Sequence, residues 1–306
     1  MGWNEINLDS YVGKIKENLN IETGDEIIKK DLLLTLILAE FEKHGLGDKL
    51  IFKGGTLLSR NYLEYHRFSE DLDFVHIDSN DLRELSRNKR EKQIKEFIDF
   101  FCPKLKEISN KLGLEFSEDR SNTKYCSILH GRTVYTFRVY YSENKYIKFE
   151  TNFAEKLLNS PDKVSVKAIT DFFDSKELLF VLNLDYRNFN VLSYSLEEII
   201  LEKYRAVLTR KNLQERDLFD LFLIRNSLDA DKEKIIEKIK GSSLIKREIQ
   251  GIVKEKLELL DKNEFFKSEE NIEELAIKSF SKQEFEKFKE KIKPKLIEIC
   301  KDFLDN

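Results

Sequence analysis

The stretch from Leu50 to Ile77 constrains the fold more than any other part of the chain. Leu50-Ile51-Phe52 is an apolar triplet suited to a short buried strand, and it runs almost directly into Gly54-Gly55. Thr56 to about Tyr65 carries a helical pattern, and Leu72 to Ile77 reads as a strand again. Two strands joined by a helix demand a layered α/β arrangement, because the helix must bury its apolar stripe against the sheet. The chain has 306 residues but only 11 glycines. Two adjacent glycines at a strand-to-helix turn therefore point to backbone that must bend sharply or lie close to another group.

The flanking sequence extends this α/β pattern. Residues 9–19 and 25–43 read as helices. In the second, Ile27, Leu34, Leu38 and Phe41 recur at helical spacing, and His44-Gly45 supplies a stop. Residues 81–112 carry a long helical pattern that the presence of Pro103 predicts to be interrupted. Three strands are predicted next, Tyr125–His130, Arg132–Tyr141 and Lys145–Asn152, while residues 160–192 show no clear period. From Ser195 onward the pattern is helical, opening on a capping box in which the Ser195 hydroxyl and the Glu198 carboxylate satisfy orphan amides. The expected organisation is α/β (α+β): a lobe with a mixed sheet over residues 1–192, then a helical lobe over residues 193–306.

Composition limits the function. Hydrophobic residues make up 41% and aromatics 11%, which places the chain among globular proteins. Charged residues reach 36% but the net charge is −4, so wholesale coating of nucleic acid is excluded while a local basic groove is not. Cys102, Cys126 and Cys300 have no metal-ligand spacing and suit a reducing compartment. No run approaches the roughly 18 apolar residues needed to span a membrane, and the N-terminus has no signal-peptide pattern. A cytoplasmic location is expected.

Asp71 and Asp73 are the candidate chemistry. In a strand their side chains share one face while Leu72 and Phe74 share the other. Carboxylates two residues apart, with Cα atoms about 7 Å apart, can converge on hard cations. Asp at a strand start is also ordinary turn chemistry. The turn Gly54-Gly55-Thr56 would offer helix-N-terminal amides and a hydroxyl to a phosphate, or would serve only as a tight turn. Further along, Lys203 falls on the apolar stripe of Leu196, Ile200, Val207 and Leu208, where a lysine either snorkels outward or meets an anion. Asp220 stands among apolar residues in Arg216-Asp217-Leu218-Phe219-Asp220-Leu221 and needs a partner. An Arg–Asp cap between helices would account for Asp217 and Asp220 structurally.

The run KGGTLLSRNY followed by RFSEDLDF resembles the nucleotidyltransferase signature of the polymerase-beta-like superfamily, and more closely that of AbiEii-type toxins of type IV toxin–antitoxin systems. The later run from Ser195 to Leu221, SLEEII followed by EK and RDLFDL, resembles the second hallmark of the same family. The resemblance implies a nucleotidyltransferase of the polymerase-beta-like fold, acting in abortive infection and phage defence. It assigns Gly54, Gly55 and Thr56 to the nucleotide phosphates, Asp71 and Asp73 to two Mg²⁺ ions, and Lys203 to the triphosphate. Asp217 becomes the candidate for activating or positioning the acceptor, with Asp220 bracing it. A nucleoside triphosphate would lie between the lobes, closed in by the helical one, and pass its nucleotidyl group to an acceptor, foremost tRNA or another RNA. A cognate antitoxin, usually a separate DNA-binding protein, is implied as partner.

The superfamily also calls for a third carboxylate on a later strand. Glu150, on the face away from Ile147 and Phe149, is the candidate metal ligand, though it is equally a solvent-facing glutamate beside Lys148. Arg132, Arg138 and Tyr140 share one face of a predicted strand and would suit a single-stranded acceptor or simple packing. The basic run 83–92 reads as a solvated helix face, and His66 and His76 as local structure. The alternatives are a nucleotidyltransferase acting on a small molecule or protein, and a non-catalytic nucleotide-binding partner protein.

Overall fold

One mixed sheet organises the first part of the chain in a computed structural model that describes residues 8–21, 24–172, 189–226, 230–241, 246–267 and 270–305. Its strands, in chain order, are β1 (Leu50–Lys53), β2 (Asp71–His76), β3 (Cys126–Leu129), β4 (Val134–Ser142), β5 (Lys145–Asn152), β6 (Asp162–Ser165) and β7 (Asn190–Ser193). They stand side by side as β3-β4-β5-β2-β1-β7-β6. β2 pairs antiparallel with β1 and parallel with β5, while β1 pairs parallel with β7.

Aromatic packing covers one face of this sheet. Helices α1 (Leu8–Leu19) and α2 (Asp25–Lys43) precede β1, and α4 (Ser79–Glu84) and α5 (Arg87–Lys111) follow β2. Phe41 of α2 stacks on Phe74 of β2 and Phe149 of β5, with ring centroids 5.3 and 5.8 Å apart. Phe101 of α5 meets Phe41 edge-on and lies 5.1 Å from Phe137 of β4. These rings are fully buried, and strand alternation fixes what the other face carries. Because Phe74 and Phe149 point inward, Asp71, Asp73, Lys148 and Glu150 share the opposite side.

The structure differs from the sequence expectation at three places in this part. The helical break falls at Leu85-Ser86, and α5 runs through Pro103 unbroken. Pro103 is exposed, so the Asp99 carbonyl it cannot bond is free to tilt toward solvent, while Phe97, Phe101, Leu105 and Ile108 anchor the other side. Residues 160–192 hold two short strands, β6 and β7; residues 173–188 of that stretch lie outside the described residues, as do residues 1–7. Finally, the segment after the glycine pair is a single α-turn, α3 (Gly54–Leu57), that widens into a π-turn over Leu58–Tyr62.

The chain forms two compact units: Met1–Ala154 with Pro161–Ser193, and Glu155–Ser160 with Tyr194–Asn306. The second is helical, with α6 (Leu196–Thr209), α7 (Glu215–Ile224), α8 (Lys232–Lys240), α9 (Lys246–Asp261), α10 (Ile272–Leu275) and α11 (Lys282–Asp305). Ser195 caps α6 by accepting from the Glu198 amide at 3.2 Å. The reciprocal half of the capping box is replaced: the Glu198 carboxylate takes the amides of Leu158 and Asn159 and the ammonium of Lys238. A charge-assisted bond to a buried ammonium outweighs one more bond to an end-of-helix amide.

Candidate active site

The acidic pair is built by register. β1 sets Lys53 opposite Asp73, and β5 sets Glu150 opposite Asp73 and Lys148 opposite Asp71. The three candidate carboxylates therefore stand on one face of two adjacent strands. Lys148 stands among them, its Nζ 3.1 Å from Asp71 Oδ2 and 3.8 Å from Glu150 Oε2.

Burial of charge, reinforced by like-charge crowding, is the main electrostatic feature. Burial, then Glu150 and more weakly Asp71, disfavour ionisation of Asp73, while Lys148 and Lys53 favour it. The balance pushes the Asp73 carboxyl up to about 6. For Lys148, burial works against the charge, but Asp71, Asp73 and Glu150 outweigh it and hold the ammonium above the ordinary lysine range. Sequence reasoning recognised Glu150 but passed over Lys148. The signal was present, since residues 148 and 150 share a strand face, but which strand lies beside β2 is a long-range choice.

The glycine pair makes room for these groups. A Cβ on Gly54 would stand 2.4 Å from Asp73 Oδ2, and Gly54 has φ +81°, where side chains are strained. A Cβ on Gly55 would stand 2.7 Å from Arg67 Nη2 and 3.0 Å from Ser69 Oγ. Thr56 is buried, and its hydroxyl donates to the Asp71 carbonyl at 2.5 Å with Ser69 Oγ 3.0 Å away. It thus latches the start of β2 to the turn. Arg67, also buried, donates to the Phe68 carbonyl at 2.8 Å; it is a cation beside the turn that sequence reasoning did not single out.

Among the described residues, no three His, Cys, Asp or Glu side chains converge as a ready-made metal cage. Two features nevertheless fit a cation. The donors are hard oxygens, and their mutual repulsion at Asp73 is what a bound cation would relieve.

In the second unit, Lys203 of α6 is buried between two carboxylates of α7, 2.8 Å from Asp217 Oδ1 and 2.6 Å from Asp220 Oδ2. Arg210 Nη1 lies 2.6 Å from the other oxygen of Asp217. Lys203 therefore does not snorkel, and Asp220 has the partner its apolar setting requires. Both Asp217 oxygens face cations. Arg210, whose side chain is 42% exposed, is the member of this cluster that reaches solvent.

Several other polar side chains are held locally. Arg132 lies before β4, in a turn with φ +68°, and pairs with Glu91, so it does not share a strand face with Arg138 and Tyr140. In the basic run 83–92, Arg83 donates to the Ala154 carbonyl and Arg87 pairs with Glu91. His76 is wedged between Phe97 and Phe153. Among the described residues no helix is long and apolar enough to cross a membrane.

A mixed sheet carrying a carboxylate pair beside a glycine turn, followed by helices, has the form of a nucleotidyltransferase. The same fold is found in MenT4, a nucleotidyltransferase toxin from Mycobacterium tuberculosis H37Rv, with a TM-score of 0.53 and 17% identity over 95% of this chain and 89% of that one. The chain belongs to the AbiEii nucleotidyltransferase toxin family of type IV toxin–antitoxin systems, whose sequence profile matches residues 36–304. No curated protein is significantly similar to it in sequence.

Proposed function

We propose that this transferase moves a nucleotidyl group from a nucleoside triphosphate to an RNA acceptor, foremost a tRNA, as a growth-arresting toxin held in check by a cognate antitoxin. The observation that carries the chemistry is the strand register that gathers Asp71, Asp73 and Glu150 on one face beside Gly54-Gly55. Asp71 and Asp73 would hold Mg²⁺, with Glu150 as the further candidate. Bound there, the metal would neutralise charge at the reacting phosphorus and polarise the attacking oxygen.

The chain's own residues do the positioning. Thr56 fixes β2 to the turn through the Asp71 carbonyl, so the acidic pair and the helix-N-terminal amides of Gly54-Gly55 are held together. Those amides are suited to phosphate oxygens. Lys203 is assigned to the triphosphate, with Asp217 and Asp220 fixing its ammonium. Because both Asp217 oxygens meet cations, Asp217 acts as a positioning residue rather than a free base.

An RNA acceptor is favoured by the continuation of the same sheet face. Arg138 lies opposite Lys148, and Tyr140 opposite Tyr146. The Tyr140 and Tyr146 rings lie 5.3 Å apart, with Arg138 5.8 Å from the Tyr146 centroid. A row of cations and partly exposed aromatics suits backbone contact and base stacking.

The test is incubation with Mg²⁺, each α-labelled triphosphate in turn, and total cellular RNA and protein, beside an Asp71→Asn/Asp73→Asn double variant. Label entering an RNA band, and lost in the variant, supports the reading. Label entering protein or a small molecule overturns the RNA acceptor. Metal-dependent triphosphate binding without any transfer overturns catalysis in favour of a nucleotide-binding partner protein.

A further inference from the structure

We propose that Lys148 is a built-in counter-cation of the Asp71/Asp73/Glu150 cluster, and that a divalent metal enters this site by displacing the lysine ammonium. The inference rests on the metal-dependent reading above and adds a residue that the acidic motif does not contain.

Three observations support it. First, the ammonium is where a cation would be: on β5, in register with Asp71, 3.1 Å from one candidate ligand and 3.8 Å from another. Second, its contacts are of the exchangeable kind. The side chains of Lys148, Asp71 and Glu150 are 32%, 35% and 37% exposed, and ion pairs so open to water hold little net stability. Third, lysine is a compact charge on a flexible four-carbon stem, so it can fill a cation position and leave it without moving the backbone. A divalent ion bound to the same oxygens would repel the ammonium at close range. Metal and lysine therefore compete.

The displaced ammonium stays on the face that carries Arg138, its opposite number on β4. There it joins a second cation suited to phosphate. Metal binding is then coupled to the exposure of a phosphate-binding group, and phosphate binding to metal affinity, because linkage is reciprocal.

The experiment is a titration with Mn²⁺ alone, free ion being followed by electron paramagnetic resonance, on wild type, Lys148→Met, Lys148→Arg and Lys145→Met. Lys145 lies on the same strand but pairs with Glu26, and serves as control. The expected result is that Lys148→Met binds Mn²⁺ on the order of tenfold more tightly, Lys148→Arg returns toward wild type, and Lys145→Met does not change. Equal or weaker binding by a folded Lys148→Met overturns the inference and leaves the metal reading intact. Absence of Mn²⁺ binding in wild type and all variants overturns both.

A second measurement does not depend on the neutral variant folding. Lysines are ¹³C-dimethylated, the Lys148 resonance is assigned by its loss in Lys148→Arg, and Mg²⁺ is added to the wild-type chain. The Lys148 resonance should move and saturate with Mg²⁺ while that of Lys145 does not. A Lys148 resonance unmoved at Mg²⁺ saturation overturns the inference.

Discussion

Two lysine–carboxylate clusters in this molecule use the same chemistry to opposite ends. In the second unit, Lys238 is 1% exposed and meets Glu198 at 2.6 Å, Glu155 at 3.2 Å and the Lys156 carbonyl at 2.7 Å. Its partners are themselves satisfied. Glu198 accepts from the amides of Leu158 and Asn159, and Glu155 accepts from the buried Tyr194 hydroxyl at 2.6 Å. In the first unit, Lys148 stands partly exposed among three carboxylates, where burial, reinforced by Glu150 and Asp71, holds Asp73 high. The Lys238 cluster is saturated by protein groups, whereas the Lys148 cluster carries surplus negative charge, the feature on which the metal proposal rests.

The sharpest way to break this comparison is to remove each lysine. Lys238→Met strands Glu155 and Glu198 in the interior and is expected to cost about 3–5 kcal/mol, read as the denaturation midpoint in urea. Equal losses for Lys238→Met and Lys148→Met would erase the distinction.

Next in size is Gly54→Ala, which sets a methyl against Asp73 Oδ2 at a left-handed φ. A stability loss of roughly 1–3 kcal/mol is expected, together with weakened Mn²⁺ binding in the same titration. Unchanged metal affinity would mean that the turn does not shape the acidic pair.

Asp73→Asn sharpens the comparison with the opposite sign, because it relieves the surplus charge. The folded-state pKa of Asp73, about 6, lies above its ordinary value of 3.8. The folded state thus holds a proton between these values that the unfolded chain has lost, and wild-type stability falls as pH rises through that window. The variant should be more stable than wild type at pH 7.5 by about 1–3 kcal/mol, and its advantage should vanish near pH 4 and below. A loss of stability at pH 7.5, measured by thermal unfolding, would show that Asp73 is a structural ion. The smallest effect belongs to Lys148→Met, within about 1 kcal/mol of wild type, since its pair is open to water.

How much was legible in the sequence depended on the range of the interaction that decided it. β1, α2 and the alternation of Asp71 and Asp73 were readable because each rests on a local period. Glu150 was readable as facing away from Phe149, but not as the neighbour of Asp73, which depends on β5 pairing parallel with β2. Lys148 was passed over for the same reason. β6 and β7 escaped because four-residue strands such as Asn190–Ser193 carry too little pattern, and their places, β7 beside β1 and β6 beside β7, are chosen by the sheet. Ser195 announced a helix start correctly, yet the destination of Glu198 depended on a lysine forty residues on. Pro103 misled because its effect depends on which side of the helix it occupies.

The hexapeptide Glu155–Ser160 belongs with the helices although the residues on both sides of it belong with the sheet. Its Leu158 and Asn159 amides are held by Glu198, and Glu155 by Tyr194 and Lys238. No single cut in the gene can therefore release either half whole. A fragment ending at Ser193 would carry Glu155 away from its partners and take from Lys238 and Glu198 the hexapeptide groups that they bind. Exchange of halves between relatives would require two breakpoints, one on each side of the hexapeptide, in addition to the one at Tyr194.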